Sequence, residues 1–575
     1  MIILGINAYH GDASAALVID GKLIAAAEEE RFNRKKHSAG FPFLAIDFCL
    51  KEASISLKEI DYIAISRNPS ANLYKKIVFL LVKGNFMNRM VKERLSNAAK
   101  IRDIKKEIAS YFQIDAHEIK APVYKVEHHL AHAASAFYVS PFEEATIVTV
   151  DGFGDFCSTT WGFGKGNEIK LQEKVIFPHS LGIFYTALCQ FIGFNNYGDE
   201  GKVMGLAPYG KPEYIDVMRK IIIPKDNLFE LNLDYFVHHT DGIDMTWQSG
   251  SPHISKIFSQ KLQKEFGQPR EPSEPIQSHH ENIAASMQQA LEESVHSIIQ
   301  CAIRSTGITN LALAGGVAYN SVMNGMIKEK TQAKNLFIQP AAGDSGTALG
   351  AALYVYHSVM NQTDKFVMTH AYTGPCYDDN YIEKALKSFD LEYEYIANHA
   401  ELAAKLVAEG NIIGWFQGRM EFGPRALGNR SIIADPRKSE IKDILNARIK
   451  HRESFRPFAP SILYDRTAEY FEQFDESPFM LLVYPVQKNK RAEIPAVTHV
   501  DGTGRLQTIK KEDNADYYDL IDNFCKITGV PVVLNTSFNE NEPIVCSPED
   551  AIKCYKTAHM DALFLSHFCI QRKKA

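Results

Sequence analysis

An α/β protein of two domains is the class this sequence predicts. Its length of 575 residues exceeds what one hydrophobic core usually serves. Apolar runs end in glycine-rich loops that pass into small-residue or helical stretches, the pattern of strand–loop–helix junctions. A strand–loop–strand pattern near the start also returns after about 140 residues. Hydrophobic residues make up 45% and charged residues 23%, so disorder, collagen and coiled coil are excluded as the main architecture.

The first buried strand is Ile2–Ile6. The runs Ala15–Ile19 and Leu23–Ala27 follow, and Asp20-Gly21 between them is a strong hairpin signal. The polar loop His10–Ser14 separates the first two strands. Ile147–Val150, the loop Asp151–Asp155, the strand Ser158–Gly162 and the turn Gly164–Gly166 repeat this order, with Asn7 aligned to Asp151 and Ser14 to Ser158. Two further glycine loops follow, Leu311–Asn320 and Gln339–Ala348, the second running into a small-residue helix. Such junctions direct backbone N–H groups toward phosphate. No Gly-x4-Gly-Lys-Ser/Thr loop and no strand-borne Gly-x-Gly-x-x-Gly is present, so neither a P-loop nor a Rossmann site is supported. Duplicated units with facing glycine loops predict the actin/sugar-kinase/heat-shock ATPase (ASKHA) fold, spanning residues 1–357. Residues 358–399 read as a connection and 400–575 as a second α/β domain, where Pro531 marks a strand start or edge.

The sharpest local signal is Glu127-His-His-Leu-Ala-His-Ala133. On a helix His128 and His132 are i and i+4, within reach of one metal ion, and His129 points elsewhere. Asp151, at the end of the following strand, and Asp344, in the last glycine loop, complete a four-ligand set. Two imidazoles and two carboxylates suit Fe(II), Mn(II) or Zn(II). Asp12, Asp151 and Asp344 stand beside small residues, as a shared metal and nucleotide site requires. In the second domain arginines crowd between Arg419 and Arg456, and guanidinium forks bind phosphate bidentately. The segment 74–107 is strongly basic and reads as helices with a solvated face; a lid or docking face for an acidic acceptor is its functional alternative.

Net charge is −6, which does not point to nucleic acid. The longest apolar run, Ile77–Val82, is too short to cross a bilayer. Nine cysteines without a Cys-x-x-Cys fit a reducing compartment. The opening MIILGINAYHGD lacks a basic region, and a cytoplasmic location without a membrane partner is expected. A homodimer is expected only from base rates.

The stretches GINAYHGDASAALV, EEERFNRKKHSAGFP, HHLAHAASAFY, GDEGKVMGLAPYG, GGVAYN and GDSGTALGAA resemble the O-carbamoyltransferases of the nodulation-factor, cephamycin, tobramycin and ansamycin type. So do FGPRALGNRSIIADPR, FRPFAPS, HVDGTGRLQT and LNTSFNENEPIV. The resemblance covers nearly the whole chain in order. It implies an iron site of His128, His132, Asp151 and Asp344, and a YrdC-like adenylate-forming domain at the C-terminus. It implies carbamoyl phosphate and ATP, with Mg, as substrates, and a carbamoyl-adenylate that an acceptor hydroxyl attacks. Arg425, Lys450, Arg456, Arg505, Asn535 and Ser537 are implied at the carbamoyl phosphate and ATP pocket. His10 is implied to stabilise the transition state and Lys36 to be a second catalytic cation, with Lys35 its neighbouring alternative. Asp12, Gly152, Gly315, Gly316 and Asn320 are implied at the nucleotide. Arg430, Arg437 and Arg452 are read as structural. A tRNA threonylcarbamoyl-type enzyme is the competing reading, and the acidic balance weighs against it. The acceptor's identity is not written in any motif; segments 70–110 and 225–280 are expected to line its pocket.

Overall fold

The computed structural model describes residues 1–83, 103–242, 245–246 and 252–572. The chain divides into two compact units, Met1–Met368 and Thr369–Ala575. The middle of the basic 74–107 segment, and part of 225–280, lie outside the described residues. The described flanks of the basic segment are helices, Leu73–Lys83 and Ile104–Phe112.

Unit 1 contains the same sheet twice. In the first sheet Ile2–Asn7, Ser14–Ile19 and Lys22–Glu28 form an antiparallel meander. Tyr62–Ile65 then pairs parallel to Ile2–Asn7, and Val123–Lys125 parallel to Tyr62–Ile65. In the second sheet Glu144–Gly154, Cys157–Lys165 and Glu168–Ile176 form the meander. Asn310–Ala314 pairs parallel to Glu144–Gly154, and Asn335–Ile338 parallel to Asn310–Ala314. Both sheets therefore run third–second–first–fourth–fifth. This repeated order is the duplicated arrangement expected for an actin-like fold, and it is carried by pattern more than by identity.

Small residues let the helices close on the sheets. Helix Gly346–Tyr354 has the sequence GTALGAALY and is buried from Gly346 to Leu353. A Cβ on Gly350 would lie 1.8 Å from the carbonyl oxygen of Ala131, and one on Gly5 would lie 2.0 Å from that of Ala348. Only hydrogen fits at either place, so helix Gly346–Tyr354 packs backbone to backbone with helix His128–Phe137 and strand Ile2–Asn7.

Unit 2 is built on one mixed nine-stranded sheet. Its centre alternates Ile413–Phe416, Arg430–Ala434, Val532–Ser537 and Ala459–Leu463, all antiparallel to their neighbours in that run. Thr503–Ile509 continues parallel to Ala459–Leu463, and Leu482–Pro485 closes that edge. Pro531 stands just before its strand, where a missing N–H costs no ladder bond. Within the stretch 358–399, expected as a connection, helix Asp379–Ser388 and strand Glu394–Tyr395 belong to this unit. Its glycine and proline breakers masked the amphipathic pattern of the helix.

No described helix is long and apolar enough to cross a membrane. None of the nine cysteines is in a disulfide.

Candidate metal centre and anion chamber

Helix His128–Phe137 begins at Glu127, whose carboxylate accepts from the Leu130 N–H at 2.8 Å. Asp155 adds a bond from the His128 N–H at 3.0 Å. The helix start is thereby fixed, and with it the direction of the first imidazole. His128 and His132 bring their Nε2 atoms within 3.1 Å. His129 turns away to Thr149, and burial pushes its titration down to about 3, so it stays neutral.

Asp151 follows Val150, where the ladder with the neighbouring strand is interrupted. The irregularity turns its carboxylate out of the pleat toward the helix. Asp344 arrives on the turn before helix Gly346–Tyr354. Asp151 Oδ2 lies 3.2 and 3.6 Å from the Nε2 atoms of His128 and His132. Asp344 Oδ1 lies 3.4 and 3.7 Å from the same two nitrogens. All four side chains are buried. Each carboxylate spends its second oxygen on the protein: Asp151 Oδ1 accepts from the Gly316 N–H at 2.9 Å, and Asp344 Oδ2 meets His10 Nδ1.

These separations test the expected metal. A tetrahedral ion with ligand bonds of about 2.0–2.2 Å needs neighbouring ligand atoms about 3.3–3.6 Å apart. The observed imidazole and carboxylate spacings run from 3.1 to 3.7 Å. The two imidazole nitrogens and two carboxylate oxygens converge on one point, where a single cation would satisfy all four. The residues fit a divalent ion. Burial opposes the charged form of His128, but Asp151 and Asp344 outweigh it and raise its titration well above normal, the same negative field that would attract a cation. Burial and mutual repulsion oppose ionisation of Asp151, and the two imidazoles overcome them to hold it well below the usual range. Asp344 is likewise held low against burial, chiefly by His10.

His10 retains 26% exposure and also lies 3.2 Å from the Phe153 carbonyl through Nε2. It therefore stands between the quartet and solvent. Asp12 pairs with His37 Nδ1 at 2.8 Å, and the His37 N–H donates to Glu30 at 2.7 Å. Burial disfavours the His37 imidazolium, and Asp12 and Glu30 raise its titration nonetheless. Lys36 lies close enough for its charge to act on both Glu30 and His37. Gly315 has φ +94°, and a Cβ there would strike the Val150 carbonyl at 2.2 Å. This close approach seats the Gly315–Tyr319 turn against Asp151. Gly152 lies within the same loop as Asp151 and has open space at its Cα. Asn320 is turned inward: its side chain caps the following helix through the Met323 N–H and exchanges two bonds of 2.9 Å with Gln288.

In unit 2 the motif residues converge as a group of cations. Burial lowers the titration of Arg505 well below the usual range, and Arg425, Arg452 and Arg456 all push it the same way. Arg452 titrates down to about 9, through burial first and Arg456 second. Arg452 donates to Asn446 Oδ1 at 2.8 Å and lies over the Phe458 ring, and its charge also acts on Arg505 and Lys450. Arg430 and Arg437 are structural as expected. Arg430 gives its protons to four backbone carbonyls and lies 3.6 Å from the Phe416 ring centre. Arg437 grips Asp435 with bonds of 2.7–3.2 Å.

Lys450 is 2% exposed. Its ammonium donates to the Ser537 carbonyl at 2.5 Å, the Asn539 carbonyl at 2.6 Å and Asn539 Oδ1 at 2.8 Å. Its three protons thus order the Ser537–Asn539 turn, with Ser537 Oγ donating to Asn539 Oδ1 at 2.7 Å. Asn535 donates to Ala426 O, Ser461 Oγ and Gln507 Oε1, tying three strands and the Arg425 loop together. Asn539 was not singled out in the sequence, although it stands in LNTSFN four residues after Asn535.

Unit 1 is a duplicated α/β unit in which two histidines of helix His128–Phe137 meet two aspartates of its loops, a set that could hold a metal ion, and unit 2 gathers four guanidinium groups. Comparison with known proteins fixes the class. The carbamoyltransferase N-terminus family model matches residues 2–353, and the carbamoyltransferase C-terminus model matches 404–572. The chain belongs to the carbamoyltransferase family and is a transferase. It is 39% identical to nodulation protein NolNO of Sinorhizobium fredii over 99% of this chain and 80% of that protein. It is 40% identical to nodulation protein NolO of Bradyrhizobium diazoefficiens over 78% of this chain and 79% of that one. An uncharacterized protein of Synechocystis sp. is 40% identical over 99% and 96%. Among solved structures, component A of the (R)-2-hydroxyglutaryl-CoA dehydratase of Acidaminococcus fermentans superposes with a TM-score of 0.33 at 13% identity, over 63% of this chain and 99% of that one. HypF of T. kodakarensis superposes at 0.31 and 14%, over 64% and 49%. Superpositions this loose carry no argument; the repeated strand order does.

Proposed function

We propose that the chain is an ATP-dependent O-carbamoyltransferase acting on a hydroxyl of a small-molecule acceptor. The observation that carries this reading is the buried quartet in which His128 and His132 of one helix meet Asp151 and Asp344 of two loops, in a chain of the carbamoyltransferase family. Unit 2 is read as a YrdC-like domain that converts carbamoyl phosphate and Mg-ATP to carbamoyl-adenylate. Water cleaves carbamoyl phosphate to carbamate and phosphate. A carbamate oxygen then attacks the α-phosphorus of ATP, and pyrophosphate leaves. In unit 1 the acceptor hydroxyl attacks the carbamoyl carbon, AMP leaves, and the hydroxyl proton passes to a base.

Each set of residues has its task. Arg425, Arg452, Arg456 and Arg505 neutralise the phosphates, which arginine holds as forks. Lys450, Asn535 and Ser537 shape the turn and strands around them. His128, His132, Asp151 and Asp344 would hold a divalent ion, with Fe(II) the first choice and Mn(II) or Zn(II) suited to the same donors. Bound there, it supplies Lewis acidity toward phosphate and carbonyl oxygen. The Gly152 and Gly315–Gly316 backbone accommodates nucleotide phosphate, with Asp12 at its edge and Asn320 anchoring the turn from behind. His10, at the solvent side of Asp344, is placed to donate to the developing oxyanion, and Lys36 adds positive charge nearby.

Incubating the full chain with labelled carbamoyl phosphate and ATP tests the reading. AMP and pyrophosphate that depend on carbamoyl phosphate are expected. Their absence, in protein that still binds ATP, would overturn it. Steeply salt-dependent tRNA binding would favour threonylcarbamoyl transfer to RNA instead.

A further inference from the structure

The motif HVDGTGR contains a histidine that the assignments above leave unused. His499 Nδ1 lies 3.1 Å from Thr503 Oγ1. Thr503 Oγ1 in turn donates to Asp501 Oδ1 at 2.7 Å, and the Thr503 N–H reaches the same oxygen at 3.0 Å. A carboxylate accepts only, and a hydroxyl has one proton. That proton is committed to Asp501, so Nδ1 must be the donor to Thr503. The network thereby assigns the tautomer: the proton is on Nδ1 and the lone pair on Nε2. Nε2 is sealed from solvent and has no hydrogen-bond partner among the described residues.

The surroundings say what that lone pair is for. Thr503 and Arg505 are i and i+2 on strand Thr503–Ile509, so their side chains share one face of the sheet. The imidazole docked on Thr503 therefore lies alongside Arg505. Arg505 Nε is also buried without a hydrogen-bond partner among the described residues. A buried acceptor and a buried donor thus stand together, and each is costly unless a ligand satisfies it. Burial pushes the imidazole down to about 4; Arg505 and Lys442 add to this and Asp501 opposes it. The ring keeps its lone pair at neutral pH.

We propose that His499 Nε2 accepts a hydrogen bond from the carbamoyl amino group, so that unit 2 selects carbamoyl phosphate over acyl phosphates that carry a methyl group in its place. The chemistry is complementary. Arginines supply donors alone, which suits the phosphate and carbonyl oxygens. The –NH2 end needs an acceptor, and a neutral imidazole provides one without adding a negative charge to repel phosphate. A site built to hydrogen-bond an N–H rejects the analogue lacking it far better than an apolar pocket rejects an isostere. The proposal rests on the reading that unit 2 binds carbamoyl phosphate.

Calorimetry on the full chain tests it with two non-hydrolysable probes. Phosphonoacetamide carries the amide –NH2; acetonylphosphonate carries a methyl group at the same position. The unsubstituted chain is expected to bind the amide roughly 10- to 100-fold more tightly. In His499→Ala the amide should fall to the level of the methyl ketone, with the ketone's affinity unchanged within about twofold. His499→Gln, which restores a side-chain acceptor, should recover part of the preference. If His499→Ala does not fold, the same comparison is made with Thr503→Val, which frees the ring and should shrink the preference. Equal binding of both probes by the unsubstituted chain, or a preference that survives His499→Ala, overturns the proposal. If neither probe binds the unsubstituted chain, the carbamoyl phosphate reading of unit 2 fails and the proposal goes with it.

Discussion

His10 and the metal quartet illustrate how much a single contact decides. Nδ1 of His10 meets the oxygen of Asp344 that faces away from the imidazoles, so in the proposed function it orients a metal ligand as well as facing the substrate side. Removing such an orienting partner typically lowers metal affinity about 10- to 100-fold. His10→Ala should therefore lose Mn(II) or Zn(II) affinity by that factor, read by metal titration with no substrate present. His128→Ala should leave almost no tightly held metal by elemental analysis, abolish carbamoyl transfer, and spare AMP formation. Equal loss of both half-reactions in a folded variant would refute the division of labour. Among the arginines, two variants should behave oppositely. Arg452→Ala should raise the KM for carbamoyl phosphate roughly 10-fold or more, the scale of one charge-assisted hydrogen bond. Arg437→Ala should leave that KM alone but lower stability by about 1–3 kcal/mol, less than for a fully buried pair because Arg437 is partly exposed; the buried Asp435 loses its partner. Denaturant titration separates the two. At this scale the sequence was informative where chemistry needs a rare residue type. The His-x3-His spacing pointed to His128 and His132, the strand end to Asp151 and the last glycine loop to Asp344, and the folded chain brings the four together. That the charge of Arg452 also acts on Arg505 was not legible, because an arginine in a motif carries no sign of which distant charges it will face.

Elements were legible to the extent that their pattern was local. The hairpin at Asp20-Gly21 and the strand after Pro531 could be read from turn chemistry. The short strand Glu394–Tyr395 could not, because its reason for existing is a partner at Phe568–Cys569 far along the chain. Glycine behaves the same way. Nothing local explains Gly350, and only the Ala131 carbonyl 1.8 Å from its would-be Cβ does. Gly350→Val should push helix Gly346–Tyr354 off helix His128–Phe137 and destabilise the protein by about 1–3 kcal/mol or more. Because Asp344 leads into the first of these helices and the histidines sit on the second, metal affinity should fall along with the melting temperature. A variant that melted earlier but held metal at full affinity would disconnect this packing from the site.

For the molecule as a whole, two solution conditions probe the buried charges. His238 is fully buried, bonded through Nε2 to the Pro178 carbonyl at 2.7 Å, and burial pushes its titration down to about 4. The unfolded chain takes up that proton near pH 6.5, whereas the folded chain resists until about pH 4. Stability contributed by the neutral ring is thus present above pH 6.5 and drains away between 6.5 and 4, by up to about 3 kcal/mol. Denaturant midpoints should fall across that window, and His238→Asn should flatten the fall. A midpoint unchanged from pH 7 to 5 would contradict the assignment. A divalent ion should raise the melting temperature by mass action, and Asp344→Asn should erase the rise.

The residue alphabet and its spacing pointed to the chemistry on their own: imidazole and carboxylate in a ligand pattern, guanidinium in excess, and glycine loops repeated after similar strands. Those features are local, and local features survive being read in one dimension. Which lone pairs meet, which proton is already spent, and which cation has only other cations for company depend on atoms brought together from distant stretches. Asp344 reaches His10 across 334 positions, and only the folded chain, where burial makes each unmatched polar atom expensive, could assign them.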